Sequence, residues 1–189
     1  VGICYMNQGV YELDHQGNPP LVRRLLALPH LGSNFSPDIS DPALRQDRYR
    51  VGWLFLRQFF DTYHEVFASS RAVNVAVGAA LLLLLFAAAW RMYGAAGGIA
   101  AGVLFAFSPN FIAHSSLATL DTAAAATFFA ACMAFLVYLH RPRWTTAAAA
   151  GALAGVAMLA KYTNAIIVPS FAVMAVLDFL CIKHSLSGN

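Results

Sequence analysis

Two ionisable residues stand at the ends of long apolar stretches, Asp121 and Lys161. Charges at membrane depth are costly, and they usually face a bundle interior or a water-filled cavity. With Arg71 and His114 they fall at one membrane face in the topology derived below, so one interpretation is a shared site there. Asp121 could instead cap a helix, where an acid favours the positive N-terminus. Lys161 could be an interface anchor whose ammonium reaches water.

Other common sites find no support in the sequence. The six histidines show no metal-ligand spacing, so no metal site is predicted from them. No glycine-rich phosphate loop and no Ser-x-x-Lys element is present. The net charge of +3 has no clustered basic face, which excludes a nucleic-acid partner.

Composition indicates that one part of the chain lies in water and another part in lipid. Apolar residues make up 59% of it and charged residues 11%, a balance that is rare in a water-soluble domain. Residues 1–71 hold seven Arg and seven Asp or Glu, whereas the other 118 residues hold five basic and two acidic ones. The change of solvent is therefore expected near Arg71.

The apolar part predicts membrane-spanning helices, since a bilayer core needs about 20 apolar residues per helix. We predict about five crossings, at 72–90, 93–113, 122–139, 144–160 and 162–182. The predicted fold class is an all-α integral membrane protein, a polytopic helical bundle. Residues 1–71 would form an extracytoplasmic loop region with short interfacial helices, and residues 183–189 a cytoplasmic end.

The residue types within each part predict how the parts are arranged. The Gly- and Ala-rich stretches 94–102 and 147–155 favour the bundle interior, because small side chains let helices approach closely. In the loop region a short apolar helix is expected at 21–31. An amphipathic helix over 51–67 would lie at the membrane interface or pack within a lumenal domain.

Orientation follows from the short loops, where Lys and Arg mark the cytoplasmic side. If the first span runs from outside to inside, Arg91, Arg141, Arg143 and Lys183 all fall on the cytoplasmic side. Among short-loop cations only Lys161 then lies outside, and residues 1–71 lie outside with it.

Several short elements also follow one another in a characteristic order. They are Gly17-Asn18-Pro19-Pro20, Arg71, Arg91-Met92-Tyr93-Gly94, Ser108-Pro109, Thr119-Leu120-Asp121 and Lys161-Tyr162-Thr163. Their order and spacing resemble the GT-C fold glycosyltransferases, in particular the dolichyl-phosphate-mannose protein mannosyltransferases and the bacterial aminoarabinose transferases. None of these elements is specific alone, and the resemblance covers nearly the whole chain.

The resemblance implies transfer of a sugar from a polyprenyl-phosphate donor to a protein or lipid acceptor at the outer membrane face. The leaving phosphate develops negative charge, which Lys161 or Arg71 would stabilise. Asp121 and Tyr162 would line the site, and Pro19 and Pro20 would belong to the loop motif. The partners would be the bilayer, the donor and the acceptor. No cofactor is firmly implied, and a divalent cation stays open.

The sequence departs from the family pattern at the catalytic base. In that group the base is the Asp of an Asp-Glu pair after the first span, and this sequence contains no such pair. Glu12 and Asp14 lie too close to Pro19 and Pro20 to match it. We therefore expect an N-terminal fragment that lacks the first span and the catalytic pair and is inactive alone.

A second class of function stays open, a non-enzymatic polytopic membrane protein such as a transporter or assembly scaffold. Abundant Ala and Arg with only two Lys favour a GC-rich bacterial source. That would place the protein in a bacterial inner membrane with a periplasmic site, in preference to the eukaryotic endoplasmic reticulum.

Overall fold

The computed structural model describes residues 1–14 and 18–187, which are helical and contain no β-strand. The all-α class predicted from sequence is confirmed. The α-helices of this part are α1 (Gly2–Asn7), α2 (Leu21–Ala27), α3 (Arg48–Gln58), α4 (Tyr63–Ala106), α5 (Pro109–Ser115), α6 (Asp121–His140), α7 (Trp144–Ala160) and α8 (Ile167–Ser187). Short 3₁₀ segments lie at Glu12–Asp14, Leu28–His30, Leu44–Gln46 and Tyr162–Ile166.

The long helices have the length and composition of membrane spans. Within the described residues three stretches qualify, Tyr63–Ala106, Asp121–His140 and Tyr162–Leu180, and the apolar helix α7 is shorter. Large apolar side chains on α4 and α8 are exposed; Leu83, Leu104 and Phe179 are 66%, 76% and 65% accessible. Such faces need lipid or further protein to cover them. The protein is therefore a helical integral membrane protein, whereas the division into a loop region, five crossings and a cytoplasmic end stays a prediction.

Helix α4 reverses direction at Gly94. This residue has φ 74° and ψ −173°, a conformation reserved almost entirely for glycine. Beyond Gly94 the chain runs back along the first part of α4. Two distances show this: a Cβ atom placed on Gly98 would lie 3.0 Å from the Cβ of Trp90, and one placed on Gly102 would lie 3.3 Å from Phe86. The two arms of α4 thus form a close-packed antiparallel pair, made possible by small residues at the contact.

The start of the apolar part differs from the prediction. Residues 51–67 do not form one helix, because α3 ends at Gln58 and α4 begins at Tyr63, so that Arg71 lies inside a continuous helix. At the break Phe59 packs against Phe35 and Phe55, with ring centroids 5.6 and 5.1 Å apart. The prediction of one helix was wrong because apolar periodicity continues across a break that aromatic packing stabilises.

Small residues build the contact between α6 and α7. Ala131 and Ala157 are fully buried there, together with Ile167 of α8. A Cβ atom placed on Gly151 or Gly155 would have no neighbouring atom of the described residues within 4 Å, so both glycines face open space. Within the predicted stretch 147–155 Ala150 is buried and both glycines are exposed, so the predicted interior position holds for only one face of α7.

The N-terminal part docks onto one end of the bundle. Val22 and Leu26 of α2 pack against Ala123 of α6 and Ala160 of α7. Nearby, His30 Nε2 lies 3.2 Å from the carbonyl oxygen of Val66 and 2.9 Å from Ser69 Oγ, which ties the 3₁₀ turn to α4. The loop region and the spans are thus packed together where α6 begins and α7 ends.

Candidate functional site

The end of the bundle where α6 begins carries an ion pair. The Nζ atom of Lys161 lies 2.6 Å from Oδ1 of Asp121, and Nδ1 of His114 lies 3.5 Å from Oδ2 of the same carboxylate. The side chains of Lys161, Asp121 and His114 are 28%, 43% and 54% exposed. Three of the residues placed at one face by the sequence analysis are therefore in contact, at what we call the Asp121 end of the bundle.

Asp121 does not cap its helix. It is the first residue of α6, while the N-cap is Leu120, which has helical dihedral angles and no side-chain capping bond. The carboxylate is directed to Lys161 instead, and it still benefits from the positive end of the helix. Of the two interpretations left open by the sequence, the structure supports the one in which Asp121 takes part in a cluster.

Lys161 lies in the short link between α7 and the 3₁₀ segment. Its backbone is extended, with φ −157° and ψ 139°, which ends α7 and turns the side chain towards α6. A free interface anchor would leave its ammonium in water, whereas this ammonium is bound to a carboxylate. The next residue, Tyr162, is 60% exposed and has no hydrogen-bond partner among the described residues.

Arg71 is not brought into this cluster. It lies one turn before Asn74 on α4, at the Asp121 end, and its side chain is exposed. Within residues 1–14 and 18–187 its guanidinium makes no hydrogen bond or ion pair. Arg71 therefore lies at the same end of the bundle but makes no contact with the ion pair of Asp121 and Lys161.

The Pro-Pro element reaches the same end through α2. Pro19 is buried, and Pro20 is the N-cap of α2. Two residues later Val22 packs against Ala123 and Ala160, the near neighbours of Asp121 and Lys161 in sequence. Gly17, the first residue of the predicted motif, lies outside the described residues.

A cavity of 510 Å³ lies between α1, α2, α3 and the first arm of α4, and Ala118 and Leu120 of the turn before α6 also line it. Its walls are mainly apolar and include Leu26, Phe55, Val66 and Leu120, with Arg23 on one side. Leu120 immediately precedes Asp121 in the chain. The buried thiol of Cys4 also lines it, and burial raises the pKa of that thiol, so it is a poor nucleophile. The cavity is therefore suited to binding apolar groups rather than to catalysing a reaction.

The sequence analysis missed two buried asparagines beside the cluster. Asn74 is 0% and Asn164 7% exposed, and both donate hydrogen bonds to main-chain oxygens of neighbouring elements. A signal was available, because a polar amide inside an apolar stretch is unusual at membrane depth. Only ionisable residues were considered there.

The cluster offers a cation for an anionic ligand, not a metal site. In the part of the chain that the structure describes, no three His, Cys, Asp or Glu side chains are grouped to hold a metal ion. A hard divalent cation takes about six oxygen ligands, and the carboxylate of Asp121 is already engaged by Lys161. The arrangement can instead exchange one anionic partner of Lys161 for another.

Comparison with known proteins supports the membrane assignment. Searches of curated proteins and of solved structures found no match. The sequence model of a family described as dolichyl-phosphate-mannose-protein mannosyltransferase matches residues 51–187. This segment begins within α3 and ends with α8, and therefore contains His114, Asp121 and Lys161, whereas Pro19 and Pro20 precede it. The chain thus belongs to the dolichyl-phosphate-mannose-protein mannosyltransferase family, a family of membrane glycosyltransferases.

Proposed function

We propose that the protein transfers a sugar from a polyprenyl-phosphate-linked donor to a protein or lipid acceptor, at the outer face of the membrane. The observation that carries the proposal is the ammonium of Lys161, held 2.6 Å from Asp121 at the end of an apolar bundle. In partly dehydrated surroundings a fixed cation stabilises developing phosphate charge far better than it would in water.

In the proposed reaction the acceptor hydroxyl attacks the anomeric carbon of the sugar. The bond between that carbon and the phosphate oxygen breaks, and the polyprenyl phosphate leaves with the bonding electrons. Lys161 stabilises the charge on the leaving phosphate. The acceptor proton passes to a base, and Asp121 is unsuited to that role because its carboxylate is already paired with the ammonium of Lys161.

Asp121 has a positioning role in this proposal. Without a donor its carboxylate holds the ammonium of Lys161 at the surface of the bundle. When the donor binds, a phosphate oxygen shares or replaces that contact. The apolar cavity beside Leu120 offers room for part of the lipid chain, which would keep the phosphate near Lys161.

A reconstitution experiment tests the enzyme. The full-length protein would be placed in vesicles with a radiolabelled sugar linked to undecaprenyl phosphate and with a protein or lipid acceptor. We expect labelled acceptor and free undecaprenyl phosphate to appear in equal amounts. The alternative, a transporter or scaffold, predicts no such products even when the protein binds the lipid. If every donor sugar and acceptor pair gave that result, the enzymatic proposal would be abandoned.

The membrane face is tested separately. Ser116 lies in the exposed turn before α6, and Arg141 lies in the exposed turn after it. In a background without native cysteines, we expect a membrane-impermeant maleimide to label Ser116→Cys on intact bacterial cells. Arg141→Cys should react only after permeabilisation. The reverse pattern would place the site on the cytoplasmic side and contradict the proposed periplasmic location.

A further inference from the structure

Two buried carboxamides lie on either side of the ion pair. Asn74 belongs to the first arm of α4, and Asn164 belongs to the 3₁₀ segment that follows Lys161. Asn74 lies 40 residues from His114, whose carbonyl it binds, and Asn164 lies 40 residues from Ala124 and 7 from Ala157, whose carbonyls it binds. Both side chains therefore make tertiary contacts, and neither serves the helix in which it lies.

Asn74 holds the turn that leads into Asp121. Its Nδ2 atom lies 2.9 Å from the carbonyl oxygen of His114 and 2.5 Å from that of Leu117. The carbonyl of Ser115 and the hydroxyl of Thr122 lie at 3.4 Å. An amide nitrogen has two protons, so the two shortest contacts account for both. The N–H and the hydroxyl of Thr119 also donate to the carbonyl oxygens of Leu117 and His114 within the turn, so the contribution of Asn74 is to tie this turn to α4.

Asn164 joins the two helices that carry the ion pair. Its Nδ2 atom donates to the carbonyl oxygen of Ala124 at 3.1 Å and to that of Ala157 at 2.9 Å. Ala124 lies in the first turn of α6, just after Asp121, and Ala157 lies in the last turn of α7, just before Lys161. One side chain thus sets the separation of the two helix ends.

We propose that Asn74 and Asn164 are positioning residues that hold the carboxylate of Asp121 against the ammonium of Lys161. A hydrogen bond of 2.6 Å tolerates little displacement, and an error of about 1 Å in a polar site removes most of its effect. Lipid and the bundle interior are equally apolar, so hydrophobic burial alone does not fix the relative height of α6 and α7. The two carboxamides supply that missing constraint.

Chemical modification of Lys161 tests this directly, with no need for an activity assay. An amine whose proton is held by a carboxylate reacts slowly with an acetylating reagent. In the full-length protein in lipid nanodiscs, we expect Asn74→Leu and Asn164→Leu to speed acetylation of Lys161 several-fold, as measured by mass spectrometry. Asp121→Asn sets the upper limit of the effect. Asn110→Leu is the matched control, because Asn110 is exposed on α5 and should leave the rate unchanged.

The leucine variants remove both donors and keep the number and branching of the side-chain heavy atoms, but two methyl groups are bulkier than an amide and could impair folding. Asn74→Ser and Asn164→Ser retain one donor and are expected to give smaller increases in the same direction. Folding is checked by size-exclusion profiles. Wild-type acetylation rates in the folded variants, together with a faster rate in Asp121→Asn, would overturn the inference.

The consequence for catalysis rests on the proposed function. A separate measurement distinguishes the positioning role of the asparagines from the phosphate role of Lys161. We expect both leucine variants to weaken binding of undecaprenyl phosphate and to raise the KM for the lipid-linked donor more than they lower kcat. If acetylation of Lys161 became faster while binding of undecaprenyl phosphate stayed unchanged, the positioning role would stand. The phosphate role of Lys161 would then be the part that fails.

Discussion

Replacement of Lys161 by alanine is expected to lower kcat/KM for the lipid-linked donor by about 100- to 1,000-fold, the range seen when one preorganised charge-stabilising group is removed from an active site. The side chain of Lys161 is 28% exposed and its ammonium is bound to Asp121, so the position of the charge is set before the phosphate arrives. Preorganisation matters because a mobile cation would have to be ordered during the reaction. Initial rates with wild-type and variant full-length protein give the ratio.

Two further variants make the test of Lys161 specific. Lys161→Arg keeps the charge but spreads it over a planar group with other geometry, so we expect partial activity. Arg91→Ala is the matched control, because Arg91 is exposed and lies about 30 Å from Arg71 along the first arm of α4, at the opposite end of that arm. A loss as large in Arg91→Ala as in Lys161→Ala would point to general damage. Near wild-type activity in Lys161→Ala would refute its phosphate role.

The second large effect is expected at Gly94, where alanine should destabilise the protein by about 1–3 kcal/mol. The reversal of α4 requires φ 74° and ψ −173°, and any side chain is strained there even though no described atom lies within 4 Å of an added Cβ. The cost comes from the backbone rather than from a clash. Without the reversal, Gly98 and Gly102 lose their contacts with the first arm. Thermal unfolding in detergent or nanodiscs measures the change.

Gly151→Ala is the matched control for Gly94. It also introduces a methyl group into open space, but Gly151 lies inside the regular helix α7. Alanine favours a helix over glycine by about 1 kcal/mol in water, so this variant should be neutral or more stable. If both variants shifted the unfolding midpoint by the same amount, backbone strain at Gly94 would not be the cause.

Much of the fold could be predicted because the sequence carries the relevant physics locally. A bilayer demands long apolar helices, and a break between them is marked by charge, Gly or Pro. The predicted stretch 144–160 coincides with α7, and 122–139 lies within α6. The break between α3 and α4 was missed, since aromatic residues at 51–67 keep a helical period while their packing with Phe35 stabilises a turn.

The sequence singled out Asp121 and Lys161 but could not show their contact, and a functional site at these residues stays a prediction. Charges near span ends are rare enough to single out Asp121 and Lys161, and the predicted topology placed them at one face. The buried asparagines were missed because an amide carries no charge, although it is costly to bury. Arg71 was predicted to join the site and lies at the same end of the bundle, yet its guanidinium has no hydrogen-bond or ion-pair partner among the described residues.

The sequence by itself determined that the chain is a helical membrane protein, which ionisable residues stand near the ends of its spans, and which family it resembles. Those properties depend on composition and on order along the chain. Only the tertiary structure decided that Asp121 pairs with Lys161 rather than capping α6. It also decided that Asn74 binds the turn before α6 and that Asn164 binds both α6 and α7. Asp121 and Lys161 lie 40 residues apart in sequence. Rotation and height of helices in lipid depend on a few polar contacts, because every apolar face is equally suited to lipid and to protein.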